Sequence, residues 1–282
     1  MSEAGFLSLD GKMLSSGQPL ILPDNRSFRY GDGFFETMKM EHGKIRLQDF
    51  HFERLFASLA LLHFQPPAYF TPAYLFEKIE VLAKKNRHLA SARIRLTIYR
   101  GEGGVYDAVN HFPHHLIQTW ALDPGIGRLN ENGFELGIFP DAKKSCDSFS
   151  HIKSNNYLSY AMAALWVKKQ QLNEAVLLNS YGGVADATIA NIFIVNNGSV
   201  KTPALSEGPV GGVMRRYLIR KMQTENIPVE ETRLSSEDLY QASEIFLSNA
   251  IYGIRWVKSL DESRYGNQFS RMLHQKISAD FA

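Results

Sequence analysis

Lys153 has the setting in this chain that most suggests chemistry. It stands in SFSHIKSNNYLSYAMAALW, residues 148–166, among small polar residues and just ahead of an apolar helical run. Surface lysines ordinarily sit among other charges on a helix face. An amine attacks a carbonyl only when it is neutral. A free lysine titrates near ~10.4, so neutrality at pH 7 costs about 4.6 kcal/mol, and the positive end of a helix offsets only ~0.3–1 kcal/mol of that. Burial or covalent linkage to a carbonyl must supply the rest, and without either the residue is an ordinary structural lysine. Ser154 or Asn155 is expected to cap the helix, with Tyr157, Leu158, Ala161, Ala164 and Leu165 on its buried face.

A second candidate is GPVGGVMRR, residues 208–216, where Gly211 and Gly212 open a probable helix. First-turn N–H groups and the helix dipole can hold a phosphate there, and a plain turn would use the same residues. No G-x-x-x-x-G-K-[ST] run exists, which excludes a P-loop nucleotidase, and RYGDGFFE and RGEGG lack the strand-to-helix context of a dinucleotide fingerprint. His111, His114 and His115 lie in a proline-broken loop at a spacing that fits no established metal site, so no metal is expected. There is no G-x-S-x-G elbow, and Cys146 has no local signature of a catalytic thiol.

The elements that must position these residues can be read from turns and periodicity. FLSLDGKML turns at Asp10-Gly11, FFETMKMEHGKIRL at His42-Gly43, and NIFIVNNGSVKTP at Asn197-Gly198, all hairpin signals. A helix is expected after Asp49 as its N-cap, with Phe52, Leu55, Phe56, Leu59 and Leu62 at helical spacing until Pro66-Pro67 stop it. Another follows Pro72. RIRLTIY alternates, with Ile94, Leu96 and Ile98 on one face and Arg93, Arg95, Thr97 and Tyr99 on the other. Residues 121–133 have loop composition, which suggests domains over 1–122 and 134–282 joined by a linker at 123–133. Strands grouped with helices, without regular βαβ alternation, argue for an α+β fold.

The chain has 282 residues, 44% hydrophobic and 21% charged, enough for one or two domains with a sizeable core. Its net charge of +2 is spread evenly, which argues against nucleic acid as a partner. No apolar run approaches a membrane span and no secretory signal precedes the first hairpin. With Cys146 as the only cysteine, no intramolecular disulfide can form. A cytoplasmic protein is the expectation.

The stretch from Asp186 to Arg215 reads D186-A-T188-I-A-N191-I192-F193, then V200-K-T202, then V210-G-G212-V213-M-R215. In order and spacing it resembles the signature of the fold-type IV pyridoxal-phosphate enzymes, the class IV aminotransferase family. YGDGFFET, HFERL, YRGEGG, IKSNNYL and LSNA recur in the expected order, so the resemblance covers nearly the whole chain. It implies a two-domain fold like that of D-amino-acid aminotransferase, a smaller N-terminal α/β domain and a larger β-barrel-like C-terminal domain that carries most cofactor contacts. It implies pyridoxal 5'-phosphate as cofactor, Lys153 as the amine that binds the cofactor's aldehyde covalently, and Arg54 as the grip on its phosphate. Backbone N–H groups of Val213 and Met214 and the loop at Asn249-Ala250 would add phosphate contacts, and Tyr157 would approach the phenolic oxygen. Asp186 stands where the family usually has glutamate, the carboxylate that pairs with the pyridine nitrogen. It keeps the charge but is shorter by about one bond, ~1.5 Å.

Within the family, RGEGG, LSNA and GGVMR look most like the lyase members, which release pyruvate from 4-amino-4-deoxychorismate to give 4-aminobenzoate for folate synthesis. The runner-up is an aminotransferase for a D-amino or branched-chain amino acid. The substrate in either case is a small amino compound carrying a carboxylate. Such lyases often carry an arginine where this chain has Val105, so Arg29 or Arg100, with Tyr30 nearby, is expected to meet that carboxylate. The resemblance also implies a homodimer, with the loop around Arg100–Tyr106 as a wall of the neighbouring subunit's pocket.

Overall fold

The computed structural model describes residues 5–107 and 110–281. The chain divides into two compact units. One runs from Met1 to Ile126 and takes in Lys153–Asn156, and the other comprises Gly127–Ile152 and Tyr157–Ala282.

The first unit holds strands β1 (Phe6–Leu9), β2 (Lys12–Ser15), β3 (Gly33–Glu41), β4 (Lys44–Ile45), β5 (Ser91–Tyr99) and β6 (His114–Ala121). Helices α1 (Arg26–Tyr30), α2 (Gln48–Leu61) and α3 (Pro72–Lys85) accompany them. The strands form one antiparallel sheet in the order β2-β1-β6-β5-β3-β4. The alternation of β5 sets its faces, and Ile94, Leu96 and Ile98 are fully buried as expected. Both hairpins turn where they should, with positive φ at Asp10-Gly11 and His42-Gly43, the backbone a two-residue turn requires. Helix α2 buries Phe52, Leu55 and Leu59, each worth roughly 1.5–3 kcal/mol. Its start differs from expectation. The N-cap is Leu47, at φ 56° and with no side-chain bond, and Asp49 lies inside the first turn. A carboxylate there is favoured by the helix dipole, so Asp49 serves two positions beyond the N-cap.

The second unit holds β7 (Phe134–Ile138), β8 (Glu174–Leu178), β9 (Val184–Ala187), β10 (Asn191–Asn196), β11 (Ser199–Pro203), β12 (Val229–Thr232), β13 (Glu244–Asn249), β14 (Gly253–Leu260) and β15 (Ser263–Arg264). Its helices are α4 (Leu158–Gln170), α5 (Val213–Thr224), α6 (Ser236–Tyr240) and α7 (Gln268–Asp280). The sheet is mixed, in the order β12-β11-β10-β13-β14-β7-β8-β9, with β15 on β14. Strand β9, last in that order, also lies beside β10 and β11, so the sheet curls back on itself like part of a barrel. Strands β8 and β9 are buried at every position, the carboxylates of Glu174 and Asp186 included.

Helix α4 departs most from its expected form. Neither Ser154 nor Asn155 caps it; Tyr157 does, without a side-chain bond. Its buried side is Tyr160, Ala163 and Val167, packed with Phe139, Ala175 and Leu177. Leu158 and Leu165 are 74% and 61% exposed. The run is apolar nearly all round, so its periodicity could not choose a face. No helix of the described residues is long and apolar enough to cross a membrane.

Candidate active site

In the first unit, the segment bearing Lys153 is held by main chain. Phe35 N–H donates to the Lys153 carbonyl at 2.9 Å and Asn155 N–H to the Gly33 carbonyl at 2.9 Å, which makes an antiparallel bridge between Phe34 and Ser154. The glycines of YGDGFFET follow from this contact. A Cβ on Gly33 would sit 2.7 Å from Asn155 Nδ2 and closer still to the Ile98 carbonyl oxygen, and one on Gly31, whose φ is 68°, would overlap the Asn156 carboxamide. The Lys153 amine lies 4.7 Å from the centre of the Phe35 ring. The Arg95 guanidinium lies 3.6 Å from the centre of the same ring. Arg95 was not among the expected site residues, although the alternation of β5 had already put it on the polar face.

Arg54 sits on the side of α2 that also carries His51 and Ser58, and it meets a buried acid. Its Nε and Nη2 donate to Glu36 Oε1 and Oε2 at 2.7 and 2.6 Å, and His51 Nδ1 lies 2.6 Å from Oε2. Burial would raise the Glu36 carboxyl, but the Arg54 charge and the His51 bond outweigh it and hold it at about 2. Arg100 is equally committed. It is buried, with Nη1 on Asp32 Oδ1 at 2.6 Å, Nη2 on the Leu62 carbonyl, and its guanidinium over Phe64. Arg26 Nε takes the other Asp32 oxygen at 2.8 Å, so Asp32 joins the turn before β3 to the loop after β5. Arg29 is an exposed side chain with a 3.3 Å contact to Asp24, and its guanidinium lies 5.1 Å from the Tyr30 ring centre.

In the second unit, Asp186 on β9 is buried, 2% exposed. Tyr160 Oη donates to its Oδ2 at 2.7 Å and Val210 N–H donates to the same oxygen at 2.9 Å. The Lys144 ammonium donates to Tyr160 Oη and lies 3.6 Å from that Oδ2. Burial, then the Asp186 charge, pushes the Tyr160 phenol well above its ordinary range, so it stays a neutral donor. Asp186 Oδ1 is buried and has no hydrogen-bond partner among the described residues. Tyr157 stacks on Tyr160 at 4.4 Å and donates to the Thr188 carbonyl at 3.3 Å.

The loop that gives Val210 to Asp186 runs directly into α5. Gly212 is its N-cap with no side-chain bond, and a Cβ there would overlap Asn191 Oδ1, so a larger residue cannot stand at that point. The N–H groups of Val213 and Met214 fall in the first turn, where a helix offers them no carbonyl. Arg215 turns away to the Pro203 carbonyl and Glu231. Asn249 ends β13, and its Oδ1 accepts from Ile251 and Tyr252 N–H at 2.9 and 3.0 Å, shaping the turn that contains Ala250. One carboxyl escaped notice in the sequence: Glu174 of β8 is buried beside Thr188, keeps Oε2 without a partner, and is pushed up to about 7 by that burial.

A family model described as amino-transferase class IV matches residues 33–260. This chain belongs to that family. It is a fold-type IV pyridoxal-phosphate enzyme, and pyridoxal 5'-phosphate is its cofactor. Among class IV relatives, the aminodeoxychorismate lyase of Vibrio harveyi is 29% identical over 238 residues, spanning 84% of this chain and 86% of that protein. A putative branched-chain-amino-acid aminotransferase of Methanocaldococcus jannaschii is 28% identical over 276 residues, spanning 97% and 94%. The solved branched-chain amino acid aminotransferase of Escherichia coli is similar in fold, with a TM-score of 0.85 at 22% identity over 98% of this chain and 93% of that one. Relatives of both reaction types at such identities fix the family and leave the substrate open.

Proposed function

We propose that this enzyme is a lyase that takes 4-amino-4-deoxychorismate, releases pyruvate and leaves 4-aminobenzoate. The observation that carries this reading is the pairing of Lys153 Nζ and the Arg95 guanidinium against the one Phe35 ring. Arg95 offers a carboxylate receptor beside the amine expected to hold the cofactor, which suits a substrate bearing an amine and a carboxylate, and the lyase-like RGEGG, LSNA and GGVMR segments favour the lyase substrate among these. The V. harveyi lyase, at 29% identity, supports the same reading.

The residues present fit the cofactor. Asp186 has one buried oxygen left over for a pyridine nitrogen, and α5 begins at a glycine that admits no side chain. Lys153 would hold the aldehyde carbon, Arg54 together with the N–H groups of Val213 and Met214 and the Asn249-Ala250 turn the phosphate, and Tyr157 the phenolic oxygen. When bound, the cofactor withdraws electrons from the atoms next to the attached amine. With its amine free, Lys153 would take a proton from the substrate at Nζ and return it to the product side. Arg95 meets the substrate carboxylate, with Arg29 and Tyr30 at the exposed rim, whereas the guanidinium of Arg100 is spent on Asp32 and Leu62. The exposed Leu158, Met162 and Leu165 of α4 and the fully exposed Tyr106 give a second copy of the chain surfaces to cover, in keeping with a homodimer.

Purified protein given aminodeoxychorismate should release 4-aminobenzoate without any keto acid, and Lys153→Ala should abolish release. The second reading, an aminotransferase for a D-amino or branched-chain amino acid, is favoured by the fuller span of the M. jannaschii relative, 97% of this chain against 84% for the lyase. Turnover that requires pyruvate or 2-oxoglutarate as acceptor, with no 4-aminobenzoate released, would establish it instead.

A further inference from the structure

Neither Lys144 nor Tyr160 was given a role in the reading of the sequence, yet both are buried around the carboxylate of Asp186. The direction of the protons follows from their chemistry. An ammonium donates and never accepts, so the bond between Lys144 and Tyr160 places the lysine's proton on the phenol oxygen. Tyr160 has a single proton of its own, and its 2.7 Å contact sends that proton to Asp186 Oδ2. Val210 N–H adds a second donor to Oδ2, at 2.9 Å. Both donors and the nearby ammonium therefore engage one oxygen, and Oδ1 remains buried and unengaged. Lys144 is itself pinned, its N–H on the Leu178 carbonyl at 2.9 Å and its carbonyl accepting from Ser180.

We propose that Lys144, acting through Tyr160, is a positioning residue that locks Asp186 by Oδ2 so that Oδ1 alone faces the pyridine nitrogen of the cofactor. This rests on the reading that Asp186 serves that nitrogen. It explains how a carboxylate shorter than the family's usual glutamate keeps its aim. The short arm has little reach from which to adapt, and the chain instead fixes its far oxygen with a tyrosine that is held by a lysine. The aim is thus set through Oδ2, by two residues bonded to each other and, through Tyr160, to the carboxylate.

The test uses the full-length protein, 15N-labelled pyridoxal phosphate and six variants: Lys144→Met, Tyr160→Phe, the double variant of these two, Asp186→Asn, and Asp186→Asn with either of the first two. Two quantities are read, the dissociation constant of the cofactor and the 15N resonance of its ring nitrogen. Lys144→Met and Tyr160→Phe should each weaken binding about tenfold, the order expected for a lost hydrogen bond to a charged group. The double variant should lose no more than either single, and both should move the resonance toward the unprotonated ring. In an Asp186→Asn background neither substitution should have further effect. Losses that multiply, or a resonance that stays put while binding weakens, would overturn the proposal, because a merely structural role gives that pattern. If Lys144→Met does not fold, Tyr160→Phe, which deletes one oxygen, decides the matter by the same criteria. Wild-type protein that binds no cofactor at Lys153 would overturn the underlying reading. Wild-type binding with unresponsive variants would overturn this inference alone.

Discussion

The buried and half-buried carboxylates of the two units differ in how fully they are satisfied. In the first, Glu36 and Asp32 have every oxygen taken, Glu36 by Arg54 and His51 and Asp32 by Arg26 and Arg100. In the second, Glu244 is likewise saturated, by the N–H groups of Phe269 and Ser270 and the Ser270 hydroxyl, whereas Asp186 and Glu174 each keep one buried oxygen with no partner among the described residues. A buried polar atom left unbonded costs about 1–3 kcal/mol, so the chain tolerates it only for a reason. The saturated acids are scaffold: those of the first unit fix the turn before β3 and the helix that carries Arg54. The unsaturated ones lie on the neighbouring strands β8 and β9, where Glu174 opens β8 and Asp186 pairs with Leu177.

The largest effect should come from breaking a saturated acid. Glu36→Gln leaves Arg54 and His51 facing a neutral group and should cost about 3–5 kcal/mol of unfolding free energy in urea melts. Because the Glu36 carboxyl falls from 4.5 to about 2 on folding, its contribution is fully present above pH 4.5 and is lost as pH drops toward 2. The acid limb of wild-type stability should therefore flatten in Glu36→Gln.

Gly33→Ala attacks the main-chain contact that holds Lys153. With the new carbon against the Ile98 carbonyl and Asn155, it should cost ~3 kcal/mol and lower cofactor incorporation in proportion, read by thermal melting and absorbance. Destabilisation with full incorporation would show that the bridge between Phe34 and Ser154 does not position the lysine.

Glu174 reverses the sign of the Glu36 prediction. Its carboxyl rises from 4.5 to about 7 on folding, so the folded state binds more protons than the unfolded one between those values. Wild-type stability should thus fall by about 2.5 kcal/mol from pH 5 to pH 8 through this group, and Glu174→Gln should remove that slope. A wild-type slope that survives the substitution would place the titration elsewhere.

The legible parts of the molecule were those that local rules dictate. Asp10-Gly11 and His42-Gly43 each need positive φ, and the chain writes that need as a turn motif. Gly31 and Gly33 stood in the recognised YGDGFFET segment, but nothing local said that the segment Lys153–Asn156 would pack against them. The face of α4 was misread because Leu158 and Leu165 are as apolar as the residues that are buried, and only tertiary packing distinguishes them. Lys144 and Tyr160 gave no signal, since their partner Asp186 lies 42 and 26 positions away and they share no spacing with it. Arg95 could have been found from strand alternation, had its face been weighed against the position of Lys153.

The most direct test of the account is to reduce the cofactor-loaded enzyme with borohydride and map the labelled peptide. The account predicts a single pyridoxyl group on Lys153. Label on Lys144 or another lysine, or no label at all, would contradict it.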